Sequence, residues 1–190
     1  MSENLPRSEK DKMISGELYL SNDRELVRER LKTRRFLNAF NNIPPGENTR
    51  KEEAINALFK KAGKSPYVEP TFYCDYGYNI EVGDYFYANY NCIILDTCKV
   101  AIGRNVLLGP SVHIYTATHP LNSTMRRNGL ELGKPVAIGD DVWIAGGAII
   151  NPGVAIGDRS IIASGSVVTS NVPDDVIFGG NPASFIKNTH

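Results

Sequence analysis

Aliphatic residues recur at every sixth position through the C-terminal half of the chain. Ile138, Ile144, Ile150, Ile156, Ile162 and Val168 form one unbroken series. Four places after each comes a small or β-branched residue (Val142, Ala148, Val154, Ser160, Ser166, Val172). One place after each the residues are largely small (Gly139, Ala145, Asn151, Gly157, Ala163, Thr169). An α-helix repeats every 3.6 residues and a half-buried strand every 2, so neither yields this pattern. A period of six fits a prism in which each hexapeptide is one flat side and three sides, about eighteen residues, close a coil. The aliphatic side chains stack inside, and small residues occupy corners where a large one would not fit. The expected fold is mainly β: a left-handed parallel β-helix of hexapeptide repeats, an exception to the right-handed crossover rule.

Two shorter series precede the long one: Val82, Ala88, Ile94, and then, displaced by two residues at Val100-Ala101, Ile102, Leu108, Ile114. The step from Ile114 to Ile138 is a whole number of hexapeptides, so the phase survives a segment that lacks the pattern. Residues 115–137 are therefore predicted as a loop extruded from the prism, and long loops on compact scaffolds are usually functional.

The first 63 residues read as a helical appendage and residues 64–190 as the β-helix. Gly16-Glu17-Leu18-Tyr19 breaks any long first helix. A second helix is expected to start with a cap at Ser21 or Asn22 and to carry Leu31, Leu37 and Phe40 as its apolar stripe, ending at Pro44-Pro45-Gly46. Thr49 and Glu52 form a capping-box pattern for a third helix, with Ala54, Ile55, Leu58, Phe59 and Ala62 behind it and Gly63 as its C′ residue.

Charge adds little to this picture. Lys+Arg and Asp+Glu are 21 each, giving a formal net charge of zero and no electrostatic argument for nucleic acid or membrane as partner. The opening Met-Ser-Glu-Asn has no apolar h-region, and no apolar run reaches the roughly 20 residues that span a bilayer. Cys74, Cys92 and Cys98 are odd in number and match no zinc spacing. A soluble, cytoplasmic protein with unpaired thiols is expected.

Candidate chemistry is sparse, which helps. His190 ends the chain. His113 falls at an outward sixth position, as a surface or interface residue. His119 lies in the extruded segment before Pro120, which biases its backbone to extended geometry. An imidazole titrating near neutrality is suited to general-base work. No Ser-His-Asp or Cys-His signature is evident.

Several segments together resemble the maltose and galactoside O-acetyltransferases, a hexapeptide-repeat family. They are Met13 to Tyr19, Pro70 to Ile80, Phe86 to Cys92, His113 to Pro120, Gly133 to Ile144 and Gly179 to Ala183. The likeness spans nearly the whole chain, in order, and is closer to the maltose-type branch. It implies direct transfer of acetyl from acetyl-CoA to a sugar hydroxyl, at a primary (C6) position, with no metal required. By the same resemblance His119 is the general base, the Gly146 backbone N–H stabilises the oxyanion, and Asn89 binds the acceptor near the reacting hydroxyl. Arg30 contacts the acceptor, and Tyr87 and Asp96 line its pocket. Trp143 flanks the pantetheine arm, while Gly146, Ser164, Thr169 and Lys187 match positions that contact CoA.

Two departures matter. Ser170 and Ser184 stand where the family often has Lys and Arg, with Lys99, Arg104, Arg159 or Lys187 as possible compensation at the CoA phosphates. Ser21 and Glu131 stand where galactoside enzymes carry Asp and Met, so maltose, glucose or another hexopyranoside is the expected acceptor and Glu131 a further pocket residue. Outward Ile93, Leu107, Trp143, Ile149, Ile161 and Val167 exceed what a monomer normally exposes. They imply a homotrimer with sites between subunits. The alternatives are a xenobiotic or amino-acid acetyltransferase on the same fold, a zinc enzyme like the γ-carbonic anhydrases, which needs three imidazoles where His113 and His119 supply two unless His190 reaches, and a non-catalytic structural β-helix.

Overall fold

The period of six builds three flat parallel sheets. A computed structural model describes residues 7–190; Met1 to Asn4, on which the leader reading rests, lie outside it. The first face is formed by Lys61–Ala62, Ile80–Val82, Val100–Ile102, Val136–Ile138 and Ala155–Ile156. The second runs through Tyr67–Val68, Tyr87–Ala88, Leu107–Leu108, Trp143–Ile144, Ile161–Ile162 and Val176–Gly180, with Ala183–Asn188 closing it antiparallel. The third consists of Phe72–Cys74, Cys92–Leu95, His113–Tyr115, Ile149–Ile150 and Val167–Val168. Every aliphatic residue of the sixfold series is buried in one continuous core. The β-helix starts at Lys61–Ala62, paired with Glu81 and Val82, three residues before the expected boundary.

Coil length is not constant, and this builds the site. Trp143 pairs with Ile161 at the expected eighteen-residue spacing. Tyr67, Tyr87 and Leu107 are separated by twenty. The surplus falls at one corner, between the third and first faces: Asp75 to Asn79 in the first coil, Asp96 to Lys99 in the second. The extruded segment leaves the third coil, after Tyr115, from this same corner. A buried polar network stacks the three widened corners. Asp96 Oδ1 accepts from the backbone N–H groups of Asp75 (3.0 Å) and Tyr76 (2.9 Å), and Oδ2 accepts from Gly77 N–H (2.7 Å). Asn79 Nδ2 donates to the Asp96 carbonyl, and Thr116 Oγ1 accepts from Cys98 N–H.

The extruded segment is more regular than a loop. Ala117–Thr118 pairs antiparallel with Leu130–Gly133, and the short helix Ser123–Arg127 sits at the tip. The segment's last two residues, Val136 and Ala137, already belong to the first face. Tyr19–Leu20 adds as a third strand, with Tyr19 opposite Glu131. Gly16, at φ +77°, makes the approach possible, since a Cβ there would lie 2.7 Å from the Gly133 carbonyl oxygen. The appendage is thus tied to the hairpin that carries His119.

The helices differ from expectation at their ends. The first, α1, is the short Glu9–Ile14; the second, α2 (Arg24–Asn41), is capped by Asp23, whose carboxylate accepts from Glu25 and Leu26 N–H, and Ser21 and Asn22 do not cap it. Its buried face is Leu26, Thr33, Leu37 and Phe40, whereas Leu31 is 46% exposed. The third, α3 (Asn48–Leu58), has Glu47 at its N-cap with no side-chain bond, so the Thr49 capping box does not form. It stops at Leu58 because Phe59 turns extended toward the first strand, and Gly63 is a prism corner and not a helix end.

Candidate active site

His119 follows strand Ala117–Thr118 directly, at the widened corner, and opens into a cavity of about 270 Å³. Tyr19, Ser21, Arg30, Arg34, Asp75, Thr97 and Glu131 also line it. Among the described residues no protein group bonds the His119 ring, so its nitrogens are open to the cavity. Arg30 is anchored by its own donors, Nη1 to Tyr76 Oη and Nη2 to the Ser21 carbonyl, each at 2.5 Å. Tyr19 is buried and donates to Glu131 Oε2 at 2.8 Å. Burial, reinforced by that carboxylate, raises the Tyr19 pKa, which keeps it a neutral donor. Burial raises the Asp75 carboxyl as well, against the pull of Arg30 and Arg34.

A second depression, about 480 Å³, lies at the corner between the second and third faces. Its walls include Tyr87, Asn89, Pro110, Trp143, Gly146 and Ser164. Asn89 Oδ1 accepts from Tyr90 N–H at 2.7 Å, leaving Nδ2 for another partner. The ladder on either side is closed: Ala145 N–H donates to Ile162 O at 2.9 Å and Gly147 N–H to Pro110 O at 2.8 Å. Among the described residues, Gly146 N–H and Ser164 N–H have no acceptor, and Pro110, one coil below, has no N–H to offer. A partly exposed backbone N–H in a shallow apolar depression is suited to stabilising a developing oxyanion.

Most of the expected site residues therefore fall into two groups: His119, Arg30 and Glu131 in one cavity, Asn89, Gly146, Tyr87, Trp143 and Ser164 in the other. Asp96 is the correction. It is fully buried, its carboxylate engaged by three backbone donors, and Asp75 occupies the cavity wall in its place. Thr169 and Lys187 are exposed outside both depressions. Lys99, Arg104 and Arg159 are held by Glu81, Asp140 and Asp175, which leaves Lys187 as the unpaired cation of that set among the described residues. The three histidines do not converge: His113 Nδ1 bonds Tyr115 Oη at 2.7 Å, and His190 lies 3.7 Å from Asp175. Residues 12–63 match the family described as maltose acetyltransferase hexapeptide capping motif, and residues 135–170 match bacterial transferase hexapeptide (six repeats). A maltose O-acetyltransferase from Clostridium difficile 630 superposes with a TM-score of 0.94 at 49% identity, over 96% of this chain and 97% of that one.

The chain belongs to the maltose and galactoside O-acetyltransferase family.

Two further members bracket it. The galactoside O-acetyltransferase of Escherichia coli is 38% identical over 97% of this chain and 90% of its own. A hexapeptide-repeat acetyltransferase of Vibrio cholerae O1 biovar eltor, solved with acetyl-CoA, gives a TM-score of 0.88 at 36% identity over 97% of this chain and all of that one. The protein is an acetyltransferase of this sugar O-acetyltransferase family. Ser21 and Glu131, the positions expected from the sequence to set the acceptor pocket apart from that of the galactoside enzymes, lie on the wall of one cavity with His119. No helix among the described residues is long and apolar enough to cross a membrane. Tyr19, Arg34, Asp75 and Thr97 are cavity residues that the repeat could not single out, because they lie outside its period.

Proposed function

We propose that the enzyme transfers acetyl from acetyl-CoA to the primary hydroxyl of a glucose or maltose-type sugar, within a homotrimer whose sites lie between subunits. The observation that carries this is the division of the site. His119 leaves the corner at one edge of the third face, and Asn89 with the free Gly146 N–H sits at the opposite edge. A hexapeptide side spans at most about 20 Å, and one chain cannot fold that face to bring its edges together. Three prisms packed about a threefold axis set one copy's His119 edge against the next copy's Gly146 edge. That packing also covers outward Ile93, Ile149 and Val167 on the third face and Leu107 and Trp143 on the second, the last two about half exposed in the single chain.

In the assembled site His119 takes the proton of the acceptor hydroxyl as its oxygen forms a bond to the thioester carbonyl carbon. The Gly146 N–H donates to the carbonyl oxygen as negative charge builds on it. Collapse breaks the carbon–sulfur bond, and the departing thiolate takes the proton back from the imidazolium. Arg30 and Glu131 orient the sugar, the latter through the oxygen Tyr19 leaves free, and Asn89 Nδ2 holds it near the reacting oxygen. Trp143 packs against the pantetheine arm.

Thiol release from acetyl-CoA with a panel of sugars, amines and amino acids tests the reaction class. Release with amines alone would move the enzyme to the amino-acid or xenobiotic reading. The oxyanion donor is tested through its neighbour, since a Cβ on Gly109 would lie 2.6 Å from Gly146 N. Gly109→Ala is expected to lower kcat about 100-fold while the fold, read by circular dichroism, is retained. Co-folding Gly109→Ala with His119→Ala chains should restore activity well above that of either variant alone. Failure of that complementation in demonstrated mixed trimers would place the whole site on one chain.

A further inference from the structure

We propose that the acceptor is a disaccharide or longer, and that its second pyranose ring binds a cleft beyond Asn89. This deepens the proposed function and rests on Asn89 lying beside the reacting sugar. The cleft measures about 380 Å³ and is walled by Lys51, Tyr67, Glu69 and Tyr90. It adjoins the Asn89 depression directly. Tyr67 stacks on Tyr87, the wall of that depression, with ring centres 5.9 Å apart and planes within 7°. Tyr90, which lends its N–H to Asn89, is 52% exposed.

Two observations point to a ligand of sugar chemistry. The outward column of the second face changes character along the prism: Tyr67 and Tyr87, then Leu107, Trp143, Ile161 and Ile177. The apolar end runs past Gly146 and Ser164, where acetyl-CoA is proposed to lie, so the phenol-bearing end remains for the rest of the acceptor. Second, Lys51, a cation only 5% exposed, forms part of the cleft wall. One of its three donors meets Glu69 Oε2 at 3.2 Å, and the Tyr67 ring lies 5.5 Å from Nζ. The remaining donors have no protein acceptor among the described residues. Tyr67 Oη donates to the other Glu69 oxygen at 3.3 Å. The exposed Tyr90 ring, beside a half-satisfied ammonium and a carboxylate, offers a pyranose an apolar platform for its C–H face and both hydrogen-bond signs for its hydroxyls.

The test compares methyl glucoside, maltose and maltotriose as acceptors for the intact enzyme and for Tyr90→Ala and Tyr67→Leu. Tyr90 projects from the surface, so its truncation leaves the fold intact even where Tyr67→Leu disturbs it. The wild type is expected to favour maltose over methyl glucoside in kcat/KM. Tyr90→Ala is expected to raise the maltose KM about tenfold and to leave methyl glucoside within about twofold. Absence of any preference for the longer sugars, or a preference that survives both substitutions, overturns the cleft while acetylation of sugars stands. If no sugar is acetylated at all, the reading beneath it fails and the cleft falls with it.

Discussion

His119→Ala is expected to lower kcat for sugar acetylation by about 10²- to 10⁴-fold, the range supplied by a positioned general base. The acceptor hydroxyl is a weak nucleophile until its proton is removed, and no other imidazole reaches the cavity: His113 is bonded to Tyr115 and His190 sits at the chain end. Because His119 is exposed on a hairpin anchored by backbone pairing and not by its ring, the substitution should leave the apparent Tm within a degree or two of wild type. The KM for acetyl-CoA should change little, as the proposed CoA groove belongs to the other depression. Steady-state thiol release together with thermal unfolding separates these effects. A variant that keeps more than about a tenth of wild-type kcat would remove His119 from the role of base.

Asp96→Ala is expected to be the most destabilising single substitution at the site. It leaves two buried backbone N–H groups, of Tyr76 and Gly77, and the partly buried one of Asp75 without acceptors, each costing about 1–3 kcal/mol. At about 2–4 °C per kcal/mol for a chain of this size, the apparent Tm falls by about 6 °C or more at fixed protein concentration. The same residue governs pH dependence. Burial pushes the Asp96 carboxyl up to about 7, and this outweighs the backbone donors that favour the anion. The folded chain therefore holds a proton that the unfolded chain, with a pKa of about 3.9, has released. Stability from this group is fully present below about pH 4 and declines as pH rises through about 7. The full difference is on the order of 4 kcal/mol. Asp75, also raised by burial, acts in the same direction. Asp11 and Asp175, which are lowered by their partners, act oppositely but are too exposed to contribute much. Unfolding measured from pH 5 to 8 should show stability falling with pH in the wild type. Asp96→Asn should flatten that slope whatever its offset, and an unchanged slope would assign the dependence elsewhere.

Asp96 also marks the limit of legibility. In the sequence it sits seven residues after Asn89 in a segment resembling the acceptor site, and a carboxylate there reads as a sugar ligand. Its actual partners are backbone N–H groups of the previous coil, twenty residues earlier, and the alignment of those groups depends on a corner two residues longer than the repeat requires. The two-residue displacement at Val100-Ala101 was visible, but nothing local says that the extra residues bulge inward, or that the same corner widens in the coil before and ejects the hairpin in the coil after. Leu31 is the parallel case in the appendage. Helical spacing places it near Leu37 and Phe40, yet the packed face turns on Leu26 and Thr33, because α2 also lies against Tyr76 and Phe72 at the end of the prism.

What the sequence determined by itself is the prism. A period of six dictates which side chains point inward, where corners fall and which columns face out, because stacked coils in register repeat the same environment at each step. His119, Gly146, Asn89 and Trp143 were singled out through segments that resemble the family, and those segments sit on that frame. Tertiary structure alone decided how the cavity closes: Tyr19, Arg30, Asp75, His119 and Glu131 come from distant segments with no shared period. They meet because Tyr19–Leu20 pairs with the hairpin strand and α2 packs on the widened corner. Pairing between irregular segments depends on backbone hydrogen bonds and on packing surfaces that exist only after the coils have stacked, and these leave no periodic trace in the chain.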